Sequence, residues 1–266
     1  MTQLIEDRKI ASGSQGEHQV RFEPCPKRVR VYLGPEAVAD STRVLTMFET
    51  SHLPVYYFPR ADVHMDLLTE TDHHTDCPYK GTASYYSVKV GDRVAENAAW
   101  TYPDPLVGAP AELADHVALY WRKMDSWFEE DEEVFVHPRD PYKRIDVLQS
   151  SRHLEVRVAG ELVAETRRPV LLFESHLPTR YYIPKLDVRL DVLEPSELTT
   201  QCPYKGVASY YSVKVGDEVA KDIAWYYPHP TLECSKIENM VCFFNEKVDG
   251  LYVDGELQAK PSTAWS

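Results

Sequence analysis

The sequence predicts a mainly β protein built from two tandem copies of one domain. The stretch from Cys77 to Asp92 recurs 125 positions later as Cys202 to Asp217, with a single change of Thr82 to Val207. In both halves, short segments with apolar residues at alternate positions are separated by turn residues. A period this long exceeds the units of solenoid proteins and fits whole domains.

The first element of each copy is a predicted β-hairpin. Val29 to Leu33 alternates with period two, Gly34-Pro35 follows as a turn, and apolar residues resume at Ala37-Val38-Ala39. Residues 155–164 repeat this pattern in the second copy, with the turn at Ala159-Gly160. Both copies are therefore expected to begin alike.

Further short strands follow the hairpin in the first copy. They are predicted at 44–48, 56–58 and 85–90, and the last of them ends in a turn at Gly91-Asp92. Apolar residues at helical spacing predict one short helix in each copy, at 111–121 and at 235–244. Each domain is thus expected to be mainly β with about one short helix.

The remaining segments divide the chain into domains and connectors. The acidic residues after 128 and the prolines around 138–141 are typical of a solvated linker. The predicted division is an N-terminal arm at 1–27, a first β domain at 28–128, an acidic, proline-containing linker at 129–150, a second β domain at 151–256 and a tail at 257–266.

Composition argues against several classes of partner, and a cytoplasmic protein is expected. A formal net charge of −13 over 266 residues opposes binding to nucleic acid. No apolar run approaches the ~20 residues of a membrane span, and the N-terminus lacks the apolar stretch of a signal peptide. Five cysteines without a C-x-x-C pair fit a reducing compartment and argue against structural zinc.

The repeated Cys-Pro-Tyr-Lys-Gly segment points to a site, because it keeps polar residues as well as apolar ones. Lys80 and Lys205 occupy the same place in the two copies. A lysine buried among aromatic residues stays charged only if a carboxylate pairs with it, and Glu49 and Glu174 are the shared acids best placed to do so. We predict these two Lys-Glu pairs as the catalytic groups; a structural ion pair or a recent duplication would leave a similar pattern.

Aromatic residues at matching positions are predicted to bind the ligand. Trp100-Thr101-Tyr102-Pro103 and its counterpart at 225–228 each place two aromatic side chains on one face of a strand. Such residues could line a planar ligand or could form an ordinary core. The predicted ligand-binding set is Tyr57, Tyr79, Tyr85, Trp100 and Tyr102 with Tyr182, Tyr204, Tyr210, Trp225 and Tyr227. No metal ligand and no cofactor is predicted.

Taken together, these motifs resemble the bacterial family known as domain of unknown function 427. The matching elements are Glu49-Thr50, Tyr56-Tyr57-Phe58-Pro59, Asp62-Val63, Cys77 to Gly81 and Trp100 to Pro103, with Glu174-Ser175, Tyr181-Tyr182-Ile183-Pro184, Asp187-Val188, Cys202 to Gly206 and Trp225 to Pro228. The resemblance implies small, curled antiparallel sheets of the β-tent type, which methionine sulfoxide reductase B and related zinc-bearing domains also use. Those relatives bind zinc through paired C-x-x-C ligands, which this sequence lacks.

The expected function is small-molecule binding by a Lys/Glu/aromatic pocket in each copy. Lys80 or Lys205 would fix the polar end of an anionic or carbonyl-bearing molecule. The same groups could serve a cofactor-free isomerase, cyclase or hydrolase. The alternative is a non-enzymatic interaction or scaffold protein with exposed lysines. A label borne by the family suggests a nucleotidyltransferase, but the Gly-Ser and Asp-x-Asp motif of that class is missing. Partners other than a small molecule are not predicted, and homo-oligomer formation is left open.

Overall fold

The computed structural model describes residues 18–107, 109 and 111–263, and the chain divides into two compact units between Pro138 and Arg139. Each unit holds one copy of the repeat. Within the described residues, each unit contains short strands and turns of 3-10 helix.

The first copy has eleven strands in its described part. They are β1 (Val20–Pro24), β2 (Val29–Leu33), β3 (Glu36–Ser41), β4 (Leu45–Glu49), β5 (Val55–Pro59), β6 (Leu68–Cys77), β7 (Gly81–Val90), β8 (Arg93–Thr101), β9 (His116–Leu119), β10 (Ser126–Glu129) and β11 (Glu132–Val134). Turns of 3-10 helix lie at Arg60–Asp62, Met65–Leu67, Ala111–Asp115 and Trp121–Lys123.

The second copy repeats this series. Its strands are β12 (Ile145–Gln149), β13 (Leu154–Val158), β14 (Glu161–Thr166), β15 (Val170–Glu174), β16 (Arg180–Ile183), β17 (Leu193–Cys202), β18 (Gly206–Val215), β19 (Glu218–Tyr226), β20 (Val241–Phe243), β21 (Gly250–Val253) and β22 (Glu256–Leu257). Turns of 3-10 helix lie at Lys185–Asp187, Leu190–Val192 and Leu232–Ile237.

Each copy forms a seven-stranded and a four-stranded sheet with the same topology. The orders are β1-β4-β5-β9-β8-β7-β6 and β11-β10-β2-β3 in the first copy, and β12-β15-β16-β20-β19-β18-β17 and β14-β13-β21-β22 in the second. The strand pairings are antiparallel. The prediction of a mainly β protein with two tandem antiparallel domains is confirmed.

The two faces of each large sheet bury different residues. In the first copy, Val29 and Val31 of the small sheet pack with Phe58 and Val88 of the large sheet in one core. Because side chains alternate along a strand, Tyr57 lies on the opposite face, in a second cluster. We call this second cluster the aromatic face; its further members include Met47, Tyr85, Trp100, Tyr102 and Tyr120.

The second copy has the same two layers. Val156 and Ile183 belong to the core between its sheets, whereas Tyr182 belongs to the cluster on the other side. This cluster is the aromatic face of the second copy, and it also holds Tyr210, Trp225, Tyr227, Cys234 and Phe244. Alternation along the strands therefore places four of the five predicted aromatic residues of each copy on one face.

The predicted helices are wrong over much of their length. Residues 111–115 form a 3-10 turn, but the next segment is strand β9, which lies between β5 and β8. The second prediction fails in the same way, because β20 occupies 241–243. Both strands are central and buried on both faces, so their apolar residues do not alternate and resemble a buried helix.

The predicted connectors carry strands. In the segment 129–150, β11 pairs with β10 of the first copy, and β12 pairs with β15 of the second. Strand β1 lies in the described part of the predicted arm and pairs with β4. The rest of the arm, residues 1–17, and the tail residues 264–266 lie outside the described residues.

Candidate functional site

The Cys-Pro-Tyr-Lys-Gly segment forms the tight turn between β6 and β7. Gly81 follows Lys80 with a φ of +111°, a conformation that side chains disfavour. A Cβ atom at this position would lie 2.9 Å from the backbone oxygen of Asp104. The amide of Leu106 donates to the carbonyl of Lys80 at 3.1 Å. The turn is therefore held against the segment that follows β8, which fixes the start of the Lys80 side chain.

Lys80 is buried and paired with Glu49, the last residue of β4. Only 6% of Lys80 is exposed, and its Nζ lies 2.5 Å from Glu49 Oε2. The sulfur of Met47, a weak acceptor, lies 3.6 Å from the same Nζ. The structure thus brings together the two residues that the sequence predicted as partners in the first copy.

The second copy repeats the pair and adds a second cation. Lys205 Nζ lies 2.5 Å from Glu174 Oε2, and Lys143 Nζ lies 2.8 Å from Glu174 Oε1. Lys143 is partly exposed, whereas Glu174 is buried. One carboxylate therefore binds two ammonium groups, each through a different oxygen.

The position of Lys143 is occupied by His18 in the first copy. His18 Nε2 lies 3.1 Å from Glu49 Oε1, and His18 and Lys143 are 125 positions apart, as Lys80 and Lys205 are. His18 stacks on Tyr79, with ring centroids 3.8 Å apart, and Lys143 lies over the ring of Tyr204. Sequence reasoning missed both residues, because they share the offset of 125 but differ in residue type.

The pairing sets the charge of the acidic partners. Burial alone would raise the pKa of Glu49, but the hydrogen bond and charge of Lys80 lower it below its ordinary value. The same opposition lowers the pKa of Glu174, where burial is outweighed by the charges of Lys205 and Lys143. For Lys205, burial alone would lower the pKa, but the interactions with Cys202 and Glu174 outweigh burial and raise it. Both carboxylates are ionised at neutral pH.

Four of the five predicted aromatic residues of the first copy lie together on its aromatic face. Trp100 Nε1 donates to the hydroxyl of Tyr57 at 3.3 Å, and the rings cross at 85°. The hydroxyl of Tyr85 lies 2.9 Å from Thr75 Oγ1. Burial raises the pKa of Tyr102, and the nearby Tyr85 contributes to the same shift. Tyr79 is the exception, because it is 45% exposed and contacts His18 instead.

The second copy holds the equivalent residues in a more closed arrangement. Trp225 Nε1 donates to the hydroxyl of Tyr182 at 3.3 Å, and Tyr210 bonds Thr200 at 2.9 Å. Tyr227 belongs to the same cluster. Unlike Tyr79, Tyr204 is buried, and its hydroxyl accepts a bond of 2.6 Å from the amide of Asp140.

An ion pair covers the aromatic face of the second copy. Arg180 donates two bonds to Glu246, at 2.8 and 2.7 Å, and its guanidinium lies 5.5 Å from the centre of the Trp225 ring. Trp225 is 7% exposed, whereas its counterpart Trp100 is only partly buried. The two copies therefore differ in what covers the tryptophan of the aromatic face.

The first copy cannot form such an ion pair at the matching positions. Val55 stands where the second copy has Arg180. Strands β9 and β20 match at an offset of 124, since Ala118 pairs with Tyr57 and Cys242 with Tyr182, so Arg122 stands where the second copy has Glu246. The two aromatic faces are therefore chemically different.

A cleft lies away from the lysine turn of the first copy. It has a volume of about 420 Å³ and is lined by Leu33, Arg93, Val94, Ala95, Glu96 and Lys123. These residues surround the far end of β7, a strand of ten residues that Lys80 precedes. The two ends of such a strand are about 30 Å apart, so the cleft does not contain Lys80.

Acidification should lower the free energy of unfolding by protonating the glutamates of the two Lys-Glu pairs. Both carboxylates have folded-state pKa values below the ordinary 4.5. Their stabilising contribution is complete above the unfolded-state pKa and is lost as the pH falls through the folded-state value. We expect the free energy of unfolding of the Glu49→Gln/Glu174→Gln variant to fall less between about pH 7 and pH 3.5 than that of the wild type, measured by urea denaturation. Parallel losses in the two proteins would contradict this assignment.

Comparison with known proteins identifies the repeat. A family model described as "Domain of unknown function (DUF427)" matches residues 21–130 and, a second time, residues 146–254. Comparison with curated proteins gave no match. Among the helices of the described residues, none has the length and apolar character needed to cross a membrane.

Proposed function

The chain belongs to the family of domain of unknown function 427, and we propose that each copy carries a small-molecule site at its buried lysine. The ligand is a small anionic or carbonyl-bearing molecule whose polar end meets Lys80 or Lys205 and whose apolar part lies on the aromatic face. The observation that supports this most strongly is a largely buried lysine paired with a glutamate in both copies; in the first copy the lysine also contacts Met47 of the aromatic face.

The bonding capacity of Lys80 supports a ligand oxygen as its further partner. An ammonium group has three protons to donate. Among the described residues, Lys80 Nζ meets only the carboxylate of Glu49 and the sulfur of Met47, which is a weak acceptor. A carboxylate or carbonyl oxygen of a ligand would complete its hydrogen bonding, and burial would strengthen that bond.

The burial of the lysines favours ligand binding over a scaffold role. An interaction surface built on these residues would expose Lys80 and Lys205, but both side chains are largely buried. The partly buried Trp100 makes the first copy the more accessible of the two. In the second copy the Arg180–Glu246 pair lies over Trp225, so ligand binds first to the first copy.

A thermal-shift screen tests this proposal. Wild type, Lys80→Met and Lys205→Met are heated with a library of small carboxylates, aldehydes, ketones and phosphates, because a ligand that binds only the folded state raises its melting temperature. A hit on the wild type should bind Lys80→Met about 10- to 100-fold more weakly, the value of a charged hydrogen bond, and Lys205→Met nearly as well. Equal binding by the wild type and Lys80→Met would contradict a role for the lysine. Circular dichroism of each variant controls for folding.

A further inference from the structure

Three metal-ligating side chains meet on the outer face of the small sheet in the second copy. Glu155 on β13 and Glu165 on β14 are directly opposite in the antiparallel register. His153 comes just before β13, two residues from Glu155, and so lies on the same side of the strand. Leu154 and Val156 point the other way, into the core. The three polar side chains therefore share the outward face.

Their ligand atoms are close together. His153 Nε2 lies 2.8 Å from Glu165 Oε1 and 3.8 Å from Glu155 Oε1. One ligand atom from each of the three residues fits within a mutual distance of 4.8 Å. Ligands bound to zinc at about 2.0–2.2 Å in a tetrahedron are about 3.4 Å apart. The two measured distances lie on either side of that value, so small side-chain rotations would complete the geometry.

The two carboxylates at this position, Glu155 and Glu165, would be stabilised by a bound cation. Two carboxylates directly opposite across a strand pair repel each other. Arg157 approaches Glu155 only to 3.9 Å, and Arg152 pairs with Asp254 instead. A divalent ion between the carboxylates would remove the repulsion and use the imidazole nitrogen as well.

The first copy shows what the same position looks like without a metal site. Arg28, Arg30 and Asp40 stand at the places of His153, Glu155 and Glu165, at the constant offset of 125. Arg28 donates two bonds to Asp40, at 2.7 and 2.5 Å, and Arg30 pairs with Asp131 at 2.8 Å. The second copy thus replaces two guanidinium groups with an imidazole and a carboxylate, on an otherwise equivalent strand pair.

We propose that His153, Glu155 and Glu165 bind a divalent transition-metal ion, with Zn²⁺ as the best fit. An imidazole nitrogen with two carboxylates suits zinc and its neighbours better than Mg²⁺ or Ca²⁺, which prefer oxygen ligands alone. The three side chains leave one tetrahedral position for water. The site lies on the small sheet, whereas the lysine site lies on the large one, so it is independent of the proposed small-molecule function.

Metal titration of the full chain tests the site. Zn²⁺ is titrated into the wild type and into His153→Arg/Glu155→Arg, which installs the residue types of the first copy and places a guanidinium beside Glu165, as Arg28 lies beside Asp40. We expect one zinc ion per chain on the wild type, with binding at least about 30-fold weaker in the variant, because two of three ligands are removed. Equal affinity and stoichiometry in the two proteins, or no binding to the wild type, would overturn the proposal.

Two controls separate this site from other metal ligands of the chain. His74→Arg removes an exposed histidine of the first copy and should leave zinc binding unchanged. Co²⁺ bound to the wild type should lack the thiolate charge-transfer absorption that coordination by any of the five free cysteines would produce. A thiolate band that persists in the variant would assign the metal to cysteine and contradict the proposal. Equal melting temperatures of wild type and variant in EDTA would show that the variant is folded.

Discussion

Replacing Glu174 with leucine should lower the free energy of unfolding by about 3–5 kcal/mol, the range found when one partner of a buried ion pair is removed. The glutamate holds two lysines, and they differ in their access to water. Lys143 is partly exposed and can turn toward solvent, but Lys205 is largely buried, with 12% of its side chain exposed, and has less freedom to do so. The cost therefore falls on Lys205, whose charge would remain in the interior without a carboxylate.

Two further variants make this prediction specific. Lys205→Met should cost clearly less than Glu174→Leu, because Glu174 keeps its bond of 2.8 Å to Lys143. The double variant Glu174→Leu/Lys205→Met should regain part of the loss, since it buries no unpaired charge. Urea denaturation at neutral pH measures all four proteins in one double-mutant cycle. If the losses of the two single variants simply add in the double variant, the pair is not coupled and the interpretation is wrong.

The partners in these pairs could be predicted from the sequence because the repeat made them visible. Glu49 with Lys80 and Glu174 with Lys205 keep both residue type and spacing, so a single offset relates the two pairs. His18 and Lys143 obey the same offset but differ in type, and no comparison of residue identity would select them. They are recognised only when strands β1 and β12 bring them to the glutamates.

The strand predictions were more accurate where one face of the strand is more deeply buried than the other. The hairpin at 29–39 was predicted correctly because β2 alternates between buried and half-buried residues. Strand β9 was predicted as a helix because its last three residues are all buried, and an apolar run of this kind has no period. Its place between β5 and β8 depends on pairing across distant parts of the chain. Local pattern carries no information about such pairing.

The contact of Arg180 with the Trp225 ring also could not be predicted from the sequence. Arg180 and Glu246 are far apart in the chain, and nothing local indicates that a guanidinium covers a tryptophan. The comparison between copies shows only that Val55 and Arg122 stand at the equivalent positions. The structure converts these two substitutions into a physical difference, because one copy gains a buried ion pair on its aromatic face and the other does not.

Transferring that ion pair to the first copy should weaken ligand binding there. In Val55→Arg/Arg122→Glu the new pair would lie over Trp100 as Arg180 and Glu246 lie over Trp225, although position 122 is exposed. A ligand would have to displace a charged hydrogen bond to reach the aromatic face, which costs about 1.5–3 kcal/mol. Binding of a ligand found in the thermal-shift screen should therefore weaken by about 10- to 100-fold. Isothermal titration calorimetry measures this directly.

Removing the ion pair from the second copy should give it a working site. Arg180→Val/Glu246→Gln removes both charges together, so neither a carboxylate nor a guanidinium is left unpaired in the interior. With Trp225 uncovered and Lys205 in place, the ligand stoichiometry should rise from one to two per chain. The single variant Arg180→Val is the control, because it uncovers Trp225 but leaves Glu246 buried without the guanidinium, and it should lose stability.

If closing the first copy leaves binding unchanged, the ligand does not use the aromatic face. If opening the second copy adds no binding while closing the first weakens it, access to Trp225 is not what distinguishes the copies, and the difference must lie in Lys143 and His18 at the glutamates.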